Sequence, residues 1–286
     1  MLINNLFIMP ADYKIPVTVI VPVKNEERNL SCCLTLLDDF SEVIVVDSNS
    51  VDNTPQIVEQ YGFKLVNFNW DGKFPKKRNW TLRNIGIQNE WVLFLDADEL
   101  VTDEFKKEII IKIKNNEYSG FWIYYSNHFL GKNLKHGLKI KKMALFNRNK
   151  GEYEFIDEKW WSSFDMEIHE HPIIEGRIGY ISAPLIHLDF KSLSHYNSKH
   201  NEYSSWEANR YIELTKSKDI KLTYRQKIKY LLLNTGLLGY LYFILNYFIL
   251  LGFLDGKAGY IYSVFKMNYF FQIKAKIYEL RKSQVI

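Results

Sequence analysis

The sequence predicts an α/β fold built on a mostly parallel sheet, and three observations carry that expectation. Short apolar, β-branched runs alternate with segments of helical spacing up to about residue 100. The runs are apolar throughout, as parallel strands covered on both faces must be. Two of them stop on carboxylates, Asp47 after "VIVV" and Asp96 after "VLFL", which places acids where open parallel sheets bind ligands.

The elements follow in order. Val17 to Val23 reads as a buried strand, after which Leu30, Cys33, Leu34 and Leu37 recur at helical spacing. "SEVIVVDSNSVDNT" gives a second buried strand over Val43–Val46. Thr54 before Pro55 predicts a helix start, with the threonine as N-cap. "FKLVNF" is a third, short strand, "RNWTLRNIGIQN" a helix, and "WVLFL" a fourth strand. Such alternation implies right-handed βαβ crossovers. From about residue 102 it fades. "GFWIYYSNHFLG" reads as a strand and turn, "WWSSFDMEIHEHPIIEGRIGYI" as strands and loops, and "SHYNSKHNEYSSWEANRYIEL" as a polar helix. The expected organisation is one half of a domain over 14–101, the other half of the same domain over 102–223, and a helical tail over 224–286.

Composition narrows the classes. The 286 residues are 47% hydrophobic, enough for a substantial core, and 16% aromatic, with much of the aromatic excess after residue 224. Net charge is only +4, so the clusters matter more than the sum. Lys73, Lys76, Lys77 and Arg78 form one; Lys132, Lys135, Lys139, Lys141, Lys142 and Arg148 form another. Both suit phosphate or an anionic surface, and a solvated basic face is the plain alternative for the second. Nucleic acid is not an expected partner. The two cysteines, Cys32 and Cys33, are adjacent, a spacing that disfavours a disulfide and fits no metal motif. "MLINNLFIMPADYK" has no basic region followed by a long apolar run, so no secretory signal is expected.

The chemistry gathers at the strand ends. "WVLFLDADE" drives an apolar strand into Asp96, Asp98 and Glu99, three acids that repel one another and resist desolvation. Carboxylates on alternate residues at a strand exit suit a divalent cation held together with substrate phosphates. A solvated acidic turn is the other reading.

"VIVPVKNEERNL", "VIVVDSNSVDNT", "KKRNWTLRNIG" and "WVLFLDADE" together resemble family 2 glycosyltransferases in order and rough spacing. Downstream, "EIHE" and "GFLDGKAG" resemble bacterial enzymes related to the lipopolysaccharide-core β-glucosyltransferases. The resemblance implies an A-type, Rossmann-like glycosyltransferase fold and a nucleotide diphosphate sugar, by family habit a uridine one, passed to a glycan or glycolipid acceptor. It assigns Asp47 to the nucleotide base, and Pro22, Val23, Asn25 and Glu26 to the nucleotide pocket. Asp96 would face the ribose and metal side, Asp98 would ligate Mn²⁺ or Mg²⁺, and Arg78 with Lys77 would approach the diphosphate. For Asp47 the structural alternative is a turn residue capping local amides.

Transfer to a hydroxyl also needs a base. In "DMEIHEHP" an extended chain would put Asp165, Glu167, His169 and His171 on one face and Glu170 on the other, so the pattern does not choose among them. The family resemblance favours Glu170, with Glu167 second; a structural ion pair is the alternative for either. His187, after the apolar run of "PLIHLDF", is a candidate metal ligand or phosphate contact, against a satisfied structural histidine. Trp160 and Trp161 are candidates to stack on a sugar face or to pack the core.

Tyr230 to Leu254 runs 25 residues without a charge. Its length could span a bilayer, yet asparagines and glycines interrupt it and its aromatics form no end belts. The expectation is two helices, this run and the aromatic, lysine-interrupted "YIYSVFKMNYFFQIKAKIYELRK" beyond it, lying in or dipping into a membrane surface, with peripheral or monotopic attachment at the cytoplasmic face of the inner membrane. Two other classes compete with the transferase. A nucleotidyltransferase would want an early Gly-rich phosphate loop, which "VPVKNEERN" lacks. A membrane-attached glycan-binding scaffold would keep the fold with an inactive site. A dinucleotide dehydrogenase is disfavoured because no GxGxxG follows a strand.

Overall fold

A computed structural model describes residues 13–156, 165, 171–188, 192–216 and 224–283. The elements run β1 (Ile15–Val23), α1 (Leu30–Leu34), β2 (Phe40–Asp47), α2 (Thr54–Gln60), β3 (Lys64–Asn67), α3 (Lys77–Asn84), β4 (Trp91–Phe94), β5 (Glu99–Leu100), α4 (Asp103–Ile113), β6 (Gly120–Phe129), β7 (Lys132–Leu134), β8 (Lys141–Asn147), β9 (Gly151–Tyr153), β10 (Pro172–Ile174), β11 (Ile178–His187), then α5 (Leu193–Lys216), α6 (Tyr224–Thr235), α7 (Leu238–Phe243) and α8 (Gly256–Ser283). Between α7 and α8 lie a π-helical segment, Ile244–Ile249, and a 3₁₀ turn, Gly252–Asp255.

The main sheet has the strand order β3-β2-β1-β4-β8-β6-β11-β5, with β7 paired to the far end of β6. The β3-β2-β1-β4 half is parallel; β8 then joins β4, and β6 joins β8, antiparallel. β1 is the hinge of the order. Its neighbours β2 and β4 depart to opposite sides, which opens a crevice at their carboxyl ends. Eight of its nine residues are buried, which explains why its sequence is apolar rather than alternating. Ile20, Ile44, Val46, Phe68, Val92, Phe94, Phe146 and Tyr153 form the core behind the crevice.

The chain forms two compact units. One comprises 1–124, 141–157 and 164–186; the other comprises 125–140, 158–163 and 187–286. This division does not coincide with the expected 14–101, 102–223 and 224–286, because the β6–β7 hairpin groups with the C-terminal helices. In that second unit α5, α6 and α8 bury Ala208, Ile212, Leu233, Ile273 and Ile277 against one another.

Two local expectations need correction. Thr54 is the first residue of α2 rather than a side-chain cap; it is fully buried, and its hydroxyl accepts the Glu26 amide at 2.8 Å. The uncharged run is not one helix. Gly236 at φ +82° separates α6 from α7, and the two helical stretches 226–235 and 238–249 meet at a bend of 115°. Among the described residues no single helix is long and apolar enough to cross a membrane.

Candidate active site

The loops after β1 and β2 are stitched together by side chains. The Asn25 amide donates to Ser50 Oγ at 2.8 Å, and Asn25 Oδ1 accepts the Val51 amide at 2.9 Å. The Glu27 amide donates to Asp52 at 3.2 Å, and Glu27 accepts the Asn53 amide at 3.2 Å. Asn25 and Asn49 both lie at positive φ, +56° and +55°, a conformation asparagine tolerates better than most residues. Expected pocket residues Pro22 and Val23 pair in register with Val46 and Asp47. Pro22, Val23, Asn25, Glu26 and Asp47 therefore share one sheet edge.

Asp47 is 1% exposed. Its carboxylate accepts the amide and hydroxyl of Ser50, so it caps a local turn. The capping reading is thus correct for its present contacts, and it leaves the residue at the carboxyl end of β2 where a base-binding acid is expected.

α3 supplies the cations. Lys77 and Arg78 sit in its first turn, against the preference of a helix N-terminus for negative charge. Such a site gains stability when an anion is present. Both side chains are buried. Lys77 Nζ donates to the Val23 carbonyl at 3.1 Å and lies 3.5 Å from Asp165 Oδ2. Burial pulls the Lys77 ammonium below its ordinary value, and Asp165 and Asp47 oppose that shift. Asp165 also accepts the Ser48 hydroxyl, and its carbonyl accepts the Lys77 amide at 2.9 Å.

The acid knot is resolved by two bases. Arg78 Nη2 lies 3.1 Å from Asp96 Oδ1, with its guanidinium 5.1 Å from the Tyr153 ring centroid. Lys142 Nζ reaches Asp96 Oδ2 at 2.9 Å and Glu99 Oε1 at 2.7 Å. Glu99 is 1% exposed and turns back to accept the Asp96 amide at 3.0 Å. Burial opposes the Lys142 charge, but Asp96 and Glu99 outweigh it and hold the ammonium above its ordinary value. Asp98 stands half-buried on the same turn. Burial, together with Glu99, Asp98 and Asp96, pushes the Cys33 thiol beneath them strongly upward.

Among the described residues no three His, Cys, Asp or Glu side chains are grouped to hold a metal by themselves. Asp96 and Asp98 still fit Mn²⁺ or Mg²⁺, because Mg²⁺ needs only one or two carboxylates when waters and substrate phosphates complete its shell. His187 belongs to the second unit, where its ring packs 4.9 Å from that of Tyr125. Glu167, Glu170, Trp160 and Trp161 lie outside the described residues. Glu99 is expected only as a member of the acidic knot, and Lys142 and Ser48 are not among the expected site residues. Lys142 was visible only as a member of a basic cluster, and its role depends on β8 lying beside β4.

Comparison with known proteins adds the family. The model of "Glycosyl transferase family 2" matches residues 18–170, more than half of the chain. A lipopolysaccharide core biosynthesis glycosyltransferase, LpsC of Rhizobium meliloti, is 23% identical over 213 residues, covering 70% of this chain and 73% of LpsC. An uncharacterized glycosyltransferase of Rickettsia felis is 24% identical over 67% of this chain and 69% of its own length. Among solved structures, S. aureus TarS 1-349 is a remote likeness: 17% identical, TM-score 0.42, with 93% of this chain and 91% of that one covered.

Proposed function

The chain belongs to glycosyl transferase family 2, and we propose that it is an inverting, metal-dependent hexosyltransferase acting in lipopolysaccharide or related cell-envelope glycan synthesis. The observation that carries this reading is the charge arrangement at the β1-β2-β4 edge. A buried acid, Asp47, ends β2, and Lys77 and Arg78 stand at the N-terminus of α3, an arrangement that suits a nucleoside beside the first and a diphosphate beside the second. The donor is then a nucleotide diphosphate sugar, with a uridine nucleotide the first choice. Asp96 and Asp98 would hold Mn²⁺ or Mg²⁺, which when bound offsets charge on the diphosphate leaving group.

The remaining steps fall to the chain's own residues. Asp47 and the stitched loops bind the nucleoside and orient the donor. Arg78 and Lys77 stabilise the charge that develops as the bond between the anomeric carbon and the diphosphate oxygen breaks. Glu170 takes the proton of the acceptor hydroxyl, whose oxygen attacks the anomeric carbon from the side opposite the leaving group. The bonding electrons depart with the diphosphate, and the configuration inverts. Glu167 is the second choice for the base. Support for this placement comes from the described neighbours of the segment. Asp165 is held by Lys77 and Ser48, and the His171 amide donates to the Glu154 carboxylate while the His171 carbonyl accepts the Glu154 amide.

The acceptor is a glycan or glycolipid met at the cytoplasmic face of the inner membrane, with the tail attached peripherally or monotopically. Exposed Leu231, Tyr240, Phe248 and Ile249 in the tail support that attachment. A panel of nucleotide sugars, assayed with Mn²⁺ or Mg²⁺ for turnover and by calorimetry for the nucleotide diphosphate, tests the whole reading. Asp98→Asn should stay folded and lose the metal-enhanced part of nucleotide affinity together with turnover. Asp98→Asn retaining the wild-type enhancement by Mn²⁺ would refute the metal assignment, and no turnover of any donor would refute the enzyme.

A further inference from the structure

The basic cluster over 132–139 lies in the second unit, which shows what it adjoins. Tyr230–Leu254 holds no charged residue, yet its middle is not buried. Tyr240, Leu241, Ile244, Phe248, Ile249 and Leu254 are all exposed, Phe248 at 56% and Ile249 at 64%. A contiguous apolar surface of this kind on a folded chain marks an interaction face. Its geometry limits the partner. The 12 residues Leu238–Ile249 are helical, so alone they extend about 18 Å, against roughly 30 Å for a bilayer core, and the stretch 226–235, which together with them is apolar and long enough, meets them at a bend of 115°. The chain then reverses at Leu251, φ +59°, and re-enters through the 3₁₀ turn into α8. Gly252 sits so close to the Asn246 carbonyl that a Cβ would lie at 2.6 Å, so the reversal is tight. The segment is a tight helical reversal with an apolar surface.

The reversal of the hairpin is clamped to the basic turn after β7. Asp255, buried, accepts the amides of Lys135 at 3.2 Å and His136 at 2.9 Å, and the His136 ring at 3.1 Å. Lys132 Nζ donates to the Asp255 carbonyl at 2.8 Å. Asn246, inside the hairpin, accepts the Leu138 amide at 2.8 Å, and the Gly137 amide donates to the Leu250 carbonyl at 2.9 Å. Gly137 has φ +87° and faces Asn246 at a distance that leaves no room for a side chain. Lys135, Lys139 and Lys257, all exposed, are thereby fixed beside the apolar surface.

We propose that the Leu237–Leu254 hairpin and the Lys132–Lys139 turn form one composite element, in which the apolar surface enters a single leaflet and the lysines engage anionic lipid headgroups. Apolar area and adjacent positive charge are the two components of interfacial binding. An apolar partner protein would match the apolar surface but would not account for the lysines clamped around it. The inference deepens the membrane-surface part of the proposed function. It names the inserting segment and the lipid charge it prefers, and it does not depend on the donor site.

The test is co-sedimentation of the full chain with vesicles of phosphatidylcholine alone or with added phosphatidylglycerol. A lysine near an anionic surface is worth about 1 kcal/mol, or roughly fivefold in affinity. The paired substitution Lys135→Gln, Lys139→Gln should weaken binding about 25-fold on phosphatidylglycerol vesicles and little on neutral ones. Phe248→Ser with Ile249→Ser, on exposed residues that need not disturb the fold, should weaken binding to both. Binding unchanged in both pairs, or equal on the two vesicle types, would overturn the proposal. So would a serine pair that dissolves a dimer in solution and leaves vesicle binding intact, since the face would then be a contact between copies. Release of the native protein from membranes by detergent alone, and by neither high salt nor alkaline carbonate, would show an integral segment and also overturn it. Calorimetry with the nucleotide diphosphate on the same samples separates the two readings. Vesicle binding without nucleotide binding refutes the transferase, and nucleotide binding without vesicle binding refutes this element.

Discussion

Replacing Lys142 by methionine tests how the acid knot after β4 is held. The substitution keeps most of the side-chain volume and removes the ammonium that lies 2.7 Å from Glu99 and 2.9 Å from Asp96. Glu99 is 1% exposed, so its carboxylate loses a cation in a place water cannot replace it. Breaking one partner of a buried pair costs about 3–5 kcal/mol. Lys142 itself is 21% exposed, and Asp96 keeps Arg78, so the low end, about 3 kcal/mol, applies. Glu99→Gln should cost less, about 2 kcal/mol, because a glutamine oxygen can still accept the Asp96 amide. The double variant should be cheaper than the sum, with a coupling of about 2 kcal/mol. Urea unfolding reads the cost as a midpoint shift of about 1 M, and hydrogen exchange of the β4 and β8 amides localises it to the first unit. A Lys142→Met protein within about 0.5 kcal/mol of wild type, with no coupling to Glu99→Gln, would show that Glu99 is not held by Lys142.

The base and the hairpin clamp give two further expectations. Glu170→Gln should lower turnover by about 10²–10⁴-fold with nucleotide binding intact; steady-state kinetics showing normal turnover there and a loss in Glu167→Gln would move the role to Glu167. Burial raises the Asp255 carboxyl, but the His136 amide and ring and the Lys135 amide outweigh it and hold the group below its ordinary value. Its contribution is therefore present above the unfolded carboxylate value of about 3.9 and lost as pH falls through the lower folded value. Limited proteolysis of the 237–254 hairpin should then accelerate below about pH 4 in the wild type, whereas Asp255→Asn should be cleaved faster at neutral pH and show little further change on acidification.

What could be read from the sequence was what depends on neighbours along the chain. β1, β2 and β4 were legible because strands covered on both faces are continuously apolar, and with them the place of Asp47 at the end of β2 and of Asp96 and Asp98 just after β4. The four motifs gave the family before any geometry did. Thr54 was misread because its partner, the Glu26 amide, lies on another loop. The pairing of Lys142 with Glu99 was missed for a related reason: it needs β8 to run antiparallel beside β4, and nothing local to either residue announces that register. The uncharged tail showed its composition but not its bend, which follows from Gly236 and from the reversal at Leu251. The division into units was also hidden, since a hairpin over 125–140 joins helices more than 50 residues further on.

The stitched loops after β1 and β2 carry a consequence for how this protein could be altered. Asn25, Glu26 and Glu27 each bond into 50–54, and Glu27 accepts the Asn53 amide in return. Each loop has local hydrogen bonds of its own, and each also leans on the other. A change of nucleotide preference introduced through one loop alone would therefore deform the second, however conservative the replacement. The smallest exchangeable module is the pair, 24–27 together with 49–54, and a chimera that transplants one without the other should lose donor recognition even when every residue contacting the nucleotide has been copied correctly.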